Sequence, residues 1–520
     1  MAKEKRPVRK PNIIEALIPI VVMAALMIYD YASGFGYTDA HLPLLVSICV
    51  ACIVGGFCGH DFQDMMVGIV ARLSATLEAL LILCTVGLLV SSFMMAGTIP
   101  ALVYYGLDLM TPKMFLPVGC ILCAIVGLAC GSSWTTTATM GIAMMGVGTG
   151  LGVPAPITAG MIISGAYVGD KFSPLSDTTN LAAAVAETGL FDHVTAMVST
   201  TLPTMIIALV IYTILGLGFH GTYDPTVAEG IQQEFAVHFN ITPLALIPLV
   251  VVIIVCILRT PGLVGIMIAV AVAVVFGIIL QPQAYMEALG SGPSLVAVMD
   301  ILHYGFGFEN VANETVAGIL GKAGGMDGTM WTINLVILAV AYGGALERAG
   351  VVEALFGNLK KKLNSVGSLV LATLITAVFC DAALGDQFLG ISVPAPLYVD
   401  KFDELGLQRN MLSRSLEDAG TLWSPMFPWT ACGAYQSQIL GMSPFMYFPY
   451  AFVNLLNPIF AAITAFLGKN IFWADGSYTN LLGKTKMKKP ALCRDEEAHK
   501  TALANLERRR EEGKAPKLSV

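Results

Sequence analysis

GDKFSPLSDTTN, residues Gly169 to Asn180, is the stretch that decides how this chain folds. Its twelve residues hold two aspartates, a lysine, an asparagine, a proline and four hydroxyl side chains. On its left, GVPAPITAGMIISGAYV (Gly152–Val168) has no charge, and another long apolar run begins at Val194. Polarity this dense, set between two apolar runs, needs a physical reason.

The surroundings supply the solvent. Of 520 residues 56% are hydrophobic and only 12% charged, with a mean hydropathy of +0.74. A soluble domain carries roughly 25% charged residues. Half that value, with repeated apolar runs near 20 residues, describes an all-α polytopic membrane protein. Barrel strands would alternate polar and apolar residues. The net charge of −7 is spread over loops and tail and gives no basic footprint for nucleic acid. Cys49–Cys52 and Cys120–Cys123 have CxxC spacing but lie in apolar runs with no histidine near, so they read as packing residues. MAKEKRPVRKPN has no small-residue cleavage site after it and reads as the lead-in to a retained first span.

About 12–14 hydrophobic segments come after it, some of them short enough for half-spans or re-entrant hairpins. With residues 1–12 inside and every segment crossing, Arg72, Arg259, Lys360 to Lys362, Lys401, Arg409 and the basic tail with Lys484, Lys486, Lys488 and Lys489 all fall inside. The loops 219–241 and about 282–330 fall outside, with Asp224, Glu229, Glu234, Asp300, Glu309 and Glu314 against the single Lys322. That is the positive-inside pattern, and it predicts both termini in the cytoplasm. The domains expected are a first span plus first membrane repeat (13–218), a second repeat (242–467) and a charged, solvated cytoplasmic tail (468–520).

The two repeats are read from echoes at a near-constant offset. Ser173-Pro174 recurs as Ser424-Pro425, Ala96-Gly97 as Ala349-Gly350, Leu151-Gly152 as Leu405-Gly406, and Cys130-Gly131 lies against Cys380-Asp381. The loop after Gly97 falls outside and its counterpart with Lys360 to Lys362 inside, so the halves are expected to be inverted. Inverted halves with broken helices mark secondary transporters.

Four polar clusters interrupt the apolar segments: Gly131–Thr139, Gly169–Asn180, Asp381–Gln387 and Glu417–Thr430. Pro174, Pro425 and Pro428 remove backbone donors and break helices. Freed carbonyls and the exposed N–H groups of the next half-helix suit cation and anion respectively, and hard cations take several oxygens with at least one charged. A carboxylate at the membrane centre costs at least ~2.5–3.5 kcal/mol and is functional by default. Asp170, Asp177, Asp381, Asp386, Glu417 and Asp418 are six such groups. Competition of Na⁺ and H⁺ for one acid is the simplest exchanger. Plainer readings stand beside this one. Asp177 caps a helix, Asp170–Lys171 forms an interfacial pair, Glu417 and Asp418 pair with Arg414, and Trp134, Trp423 and Trp429 pack. His193, beside Asp192, is the best pH-sensing histidine.

SGAYVGDKFSPLSDTTNLAAAVAETGLFDHV resembles the signature of the NhaC family of Na⁺/H⁺ antiporters. FCDAALGDQFLGISVPAPLY, LSRSLEDAGTLWSPMFPWTACGAY and YAFVNLLNPIFA agree, and the likeness runs over roughly residues 10–470. Where relatives commonly read P-W-N, this chain has Pro428-Trp429-Thr430. The resemblance implies a bacterial inner-membrane cation/proton antiporter with inverted repeats and hairpins, in a superfamily whose members are often homodimers with elevator-like movement. It also implies Asp177 and Asp170 as leading acids. Relatives include malate–lactate exchangers and apparent amino-acid carriers.

The expectation is therefore a Na⁺/H⁺ antiporter in the lipid bilayer, without cofactor, with Na⁺ as the transported ion. Asp177 is the shared Na⁺/H⁺ acid. Thr178, Asn180, Ser132, Ser133 and Thr135 are first-half ligands beside Asp170. Asp381, Asp386, Gln387, Glu417, Asp418, Ser424 and Thr430 come from the second half. The rivals are a Na⁺-coupled exchanger of small organic anions or amino acids, with Arg414 as the anion partner, and a channel. An enzyme is not expected, since no nucleophile–base pair stands out, and no GxxxxGK[ST] is present for ATP.

Overall fold

The computed structural model describes residues 7–32, 40–219, 225–258, 260–308, 311, 317, 320, 324–488 and 490–516. Residues 1–6 and the charges at Asp224, Arg259, Glu309, Glu314, Lys322 and Lys489, used in the topology reading, lie outside the described residues.

Among those described, six helices are long and apolar enough to cross a membrane: Phe62–Met95, Pro112–Cys130, Leu190–Gly218, Leu263–Leu280, Met326–Arg348 and Val366–Leu384. Two bent pairs, Thr226–His238 with Pro243–Val255 (90°) and Pro444–Tyr450 with Phe452–Phe466 (59°), raise the number to eight. This is the all-α polytopic membrane protein the composition predicts. The sequence count of segments is larger because several are fragments. The stretch 132–150 is a short helix Ser133–Thr136, a π-helical turn Thr137–Gly141 and a helix Ile142–Gly150. The stretch 154–182 is Ala155–Phe172 and Asp177–Val185, broken between. The stretch 385–400 is Gln387–Ser392 and Ala395–Glu404, and 410–440 is Arg409–Trp423 and Ala431–Leu440.

The breaks have local causes. Pro174 lies in the gap after Phe172, and Pro425 turns the chain into a 3₁₀ segment, Ser424–Met426. Left-handed glycines end helices at Gly131 (φ 65°) and Gly385 (φ 73°). These two are 254 residues apart, and the left-handed Gly97 and Gly350, and Gly152 and Gly406, recur at 253 and 254.

Helices approach closely where side chains are small. A Cβ on Gly165 would lie 2.4 Å from the Cys120 carbonyl oxygen, and one on Gly169 2.3 Å from that of Ala124. Gly165 and Gly169 are one turn apart, so Ala155–Phe172 lies directly on the backbone of Pro112–Cys130. Met326–Arg348 meets Phe62–Met95 the same way, with Gly68 against Gly344.

The segment expected as a solvated tail is folded. Ile471–Phe472, Ser477–Thr479 and Thr485–Met487 form a three-stranded antiparallel sheet, and Glu496–Glu511 is a helix. Ile471, Phe472, Trp473, Ala502 and Leu506 are buried, which supplies the apolar contact that its charge obscures in the sequence.

Candidate functional site

The two broken segments meet at one ion pair. Lys171, at the end of Ala155–Phe172, reaches the Oδ1 of Asp418 in the Arg409–Trp423 helix, and neither side chain is exposed to any degree. Oδ1 also accepts from Asn457 Nδ2 at 2.8 Å and Thr200 Oγ1 at 3.1 Å. Arg414, fully buried one turn before, stands 3.8 Å from Oδ2. A buried pair survives only when further hydrogen bonds satisfy its remaining valences, which Asn457 and Thr200 do here. The reading of Lys171 paired with Asp170 is corrected, and of the expected pairing of Arg414 with Glu417 and Asp418 the structure shows the one with Asp418. Helical geometry turns Asp170 away from Lys171, and Arg414 faces position i+4, which is Asp418.

Asp170 is 5% exposed, and its Oδ2 accepts from the Ser133 backbone N–H at 3.0 Å. Beside it, Glu417 is fully buried. The hydroxyls of Thr178 and Thr421 face Glu417, with Lys171 and Asp170 in electrostatic range, yet among the described residues neither carboxylate oxygen closes a hydrogen bond. An ionised carboxylate at that depth costs several kcal/mol unless something neutralises it (order of magnitude). A proton or a small cation meets that need, and the two exclude each other.

Asp177 stands at the rim of this group, in electrostatic range of Asp170 and facing outward. It is the exposed first residue of Asp177–Val185, with Glu78 of Phe62–Met95 in electrostatic range. Asn180 is exposed and its amide ties the break together, donating to the carbonyls of Pro174 at 2.9 Å and Ser176 at 2.8 Å. Thr178 Oγ1 meets Ser176 Oγ at 3.0 Å. Ser132 caps Ser133–Thr136 by accepting from Thr135 N–H at 3.2 Å, and Thr135 is 7% exposed.

A second group lies across the Arg409–Trp423 helix. Asp381 is fully buried with both oxygens unpartnered among the described residues. Gly390 packs so tightly on it that a Cβ would sit 1.9 Å from Oδ1, and Gly420 of Arg409–Trp423 meets the other side of Gly390. Asp386 caps Gln387–Ser392, accepting from Phe388 N–H at 2.7 Å. The Gln387 Oε1 and Ser424 Oγ are 3.5 Å apart. Thr430 caps Ala431–Leu440 by accepting from Gly433 N–H at 3.0 Å, and its hydroxyl lies 2.6 Å from the Ser424 carbonyl. Asp386 and Thr430 therefore hold helix ends. Trp134 stacks on Tyr435 at 4.4 Å, which joins the first-half cluster to Ala431–Leu440.

Of the residues expected from the sequence, the structure brings Asp170, Ser133, Thr178, Glu417 and Asp418 into one place. Sequence reading misses Thr200, Thr421, Asn457 and Glu78. Asn457 and Glu78 carried a signal, being an amide and an acid inside apolar runs.

The model of the Na⁺/H⁺ antiporter family matches residues 165–469, which contain this site apart from Glu78 and from Ser133 and its neighbours. The chain is 35% identical to the arginine/ornithine antiporter ArcD of Halobacterium salinarum, over 90% of this chain and 95% of that one. It is 33% identical to the malate-2H⁺/Na⁺-lactate antiporter of Bacillus subtilis, over 90% and 97%. It is 32% identical to the Na⁺/H⁺ antiporter NhaC of Alkalihalophilus pseudofirmus, over 83% and 90%.

Proposed function

This chain belongs to the Na⁺/H⁺ antiporter family, and from that premise we propose that it exchanges Na⁺ for H⁺ across a bacterial inner membrane at the buried junction of its two broken segments. The observation that carries this reading is the Glu417 carboxylate, fully buried beside Asp170, with the hydroxyls of Thr178 and Thr421 facing it and no hydrogen bond closed among the described residues. Na⁺ bound there takes oxygens from Glu417, Asp170, Thr178 and Thr421, and its departure leaves the site to a proton. Asp177 and Glu78 are the exposed acids that draw cations toward it. The Lys171–Asp418 pair holds the two halves of the site in register. The two halves alternate the exposure of this site as inverted repeats, with the basic loops and both termini in the cytoplasm.

A second reading has one observation in its favour. Two guanidinium nitrogens of Arg414, Nε and Nη2, are buried without hydrogen-bond partners among the described residues, which suits a carboxylate-bearing solute. The H. salinarum and B. subtilis relatives are named for such solutes. Purified protein in proteoliposomes with an internal pH dye separates the two. Proton movement on a Na⁺ gradient alone supports simple exchange. Movement only after malate, lactate or arginine is added transfers the function to the organic solute.

A further inference from the structure

The C-terminal segment makes contacts that a solvated tail has no use for. Asn470, where it leaves the membrane helices, stands at φ 54° and offers its carbonyl to Arg414 Nη1 at 2.9 Å. The same nitrogen donates to Ser199 Oγ at 3.0 Å. The Asn470 side chain then fixes that geometry twice. Its Nδ2 donates to the Ser199 carbonyl at 2.9 Å, and its Oδ1 accepts from Tyr478 of the sheet at 3.0 Å. Arg414 has no other hydrogen bond among the described residues, and its Nε stands 3.8 Å from Asp418, the partner of Lys171. A line of contacts runs from the sheet through Asn470 and Arg414 to the ion pair.

The segment is fastened at the far ends of both broken segments. Beyond Asp177–Val185, Thr188 forms a β-bridge with Cys493, and Arg494 N–H donates to the Glu187 carbonyl at 3.0 Å. Before Arg409–Trp423, Leu407 bridges Trp473, and Gln408 Nε2 donates to the Trp473 carbonyl at 2.9 Å. Arg409 joins the two, pairing with Glu187 and with Asp403 at 2.9 Å. A Cβ on Gly406 would strike the Leu506 backbone at 2.8 Å, so the Glu496–Glu511 helix lies directly on that turn.

We infer that residues 470–516 are a working part of the transport site, with Asn470 and Tyr478 as positioning residues that hold Arg414 as the fixed counter-charge of Asp418. Arg414 carries its charge on a long side chain, and without this hold it swings away from Asp418. Lys171 then gains attraction for Asp418, and the balance of charge around Glu417 changes. The inference rests on the exchange reading above.

Two variants spare the backbone. Asn470→Gly keeps the carbonyl and suits the left-handed φ, and Tyr478→Phe removes one hydroxyl. Both are assayed as full-length protein in proteoliposomes for Na⁺-driven proton flux. The expected result is insertion and maximal rate within about twofold of wild type, with half-saturating Na⁺ raised about five- to tenfold. A structural role alone would lower the amount of active protein and leave half-saturation unchanged. Wild-type half-saturation in both variants overturns the inference. If wild type itself moves no protons on Na⁺ alone, the exchange reading fails. Hydrogen exchange of residues 409–423 then decides, since a rate unchanged in Asn470→Gly overturns the hold on Arg414 and a rise of about tenfold supports it.

Discussion

Glu417 and Asp177 are both acids of the signature stretches, and their surroundings give them different work. Glu417 has no exposure and closes no hydrogen bond among the described residues, whereas Asp177 faces outward at the first turn of its helix. Glu417→Gln keeps the shape and removes the exchangeable site, so Na⁺-driven proton flux is expected to fall at least about a hundredfold with insertion unchanged. Asp177→Asn is expected to raise half-saturating Na⁺ while flux persists at high Na⁺. Equal loss of flux in both variants would return the central role to Asp177. Lys171 has a structural duty as well. Lys171→Met leaves the buried Asp418 with Arg414, 3.8 Å away, as its remaining counter-charge and is expected to destabilise the protein by up to roughly 3 kcal/mol. Lys171→Met with Asp418→Leu and Arg414→Met, which removes all three buried charges together, should recover most of that in thermal unfolding without recovering transport. The sequence made the residue types legible, because acids inside apolar runs stand out. It did not make their partners legible. Lys171 sits beside Asp170 in sequence, and only the turn of the helix sends it across to a residue 247 positions away.

At the scale of the element, the breaks were readable because proline and glycine announce them. Pro174 and Pro425 fall in the gaps, and Gly131 and Gly385 end helices in left-handed geometry. The conformation beyond a break was not readable. The stretch 132–150 has the composition of a span, yet its threonine hydroxyls bind its own carbonyls, Thr137 to Ser133 at 2.9 Å and Thr139 to Thr135 at 2.8 Å, and a π-helical turn results. The crossing that places Asp170 depends on Gly165 and Gly169. Gly169→Val puts a side chain where the Ala124 carbonyl lies 2.3 Å from its Cβ, so the two helices must separate. Greatly reduced yield of folded protein is the expected outcome, measured by size-exclusion chromatography in detergent. Unchanged yield would show that the crossing tolerates a wider spacing.

For the whole molecule, the membrane class was visible in composition and in the length of the apolar runs, while the folded C-terminal segment was hidden by its charge. RDEEAHKTALANLERRREEGK looks solvated, and its apolar face consists of little more than Ala502 and Leu506. Its acid response is calculable. Burial pushes the Asp475 carboxyl up, but hydrogen bonds from Ser477 and the Arg510 guanidinium outweigh it and hold the carboxyl below its usual range. A depressed folded-state value contributes stability that is full above about pH 4 and fades as pH falls through the folded value. Hydrogen exchange across residues 471–487, corrected for intrinsic rates, should therefore accelerate on acidification below about pH 4. In Asp475→Asn that acid-dependent step should shrink. A step of unchanged size would assign it to other groups.

A single buried carboxylate that holds either Na⁺ or H⁺ must release one to take the other. Calorimetry of Na⁺ binding to the detergent-solubilised full chain, repeated in buffers of different ionisation enthalpy, counts the protons that binding releases. Proton release on Na⁺ binding to wild type is expected, with loss of both binding and release in Glu417→Gln. Na⁺ binding that releases no proton, or release that persists in Glu417→Gln, would contradict exchange at this carboxylate.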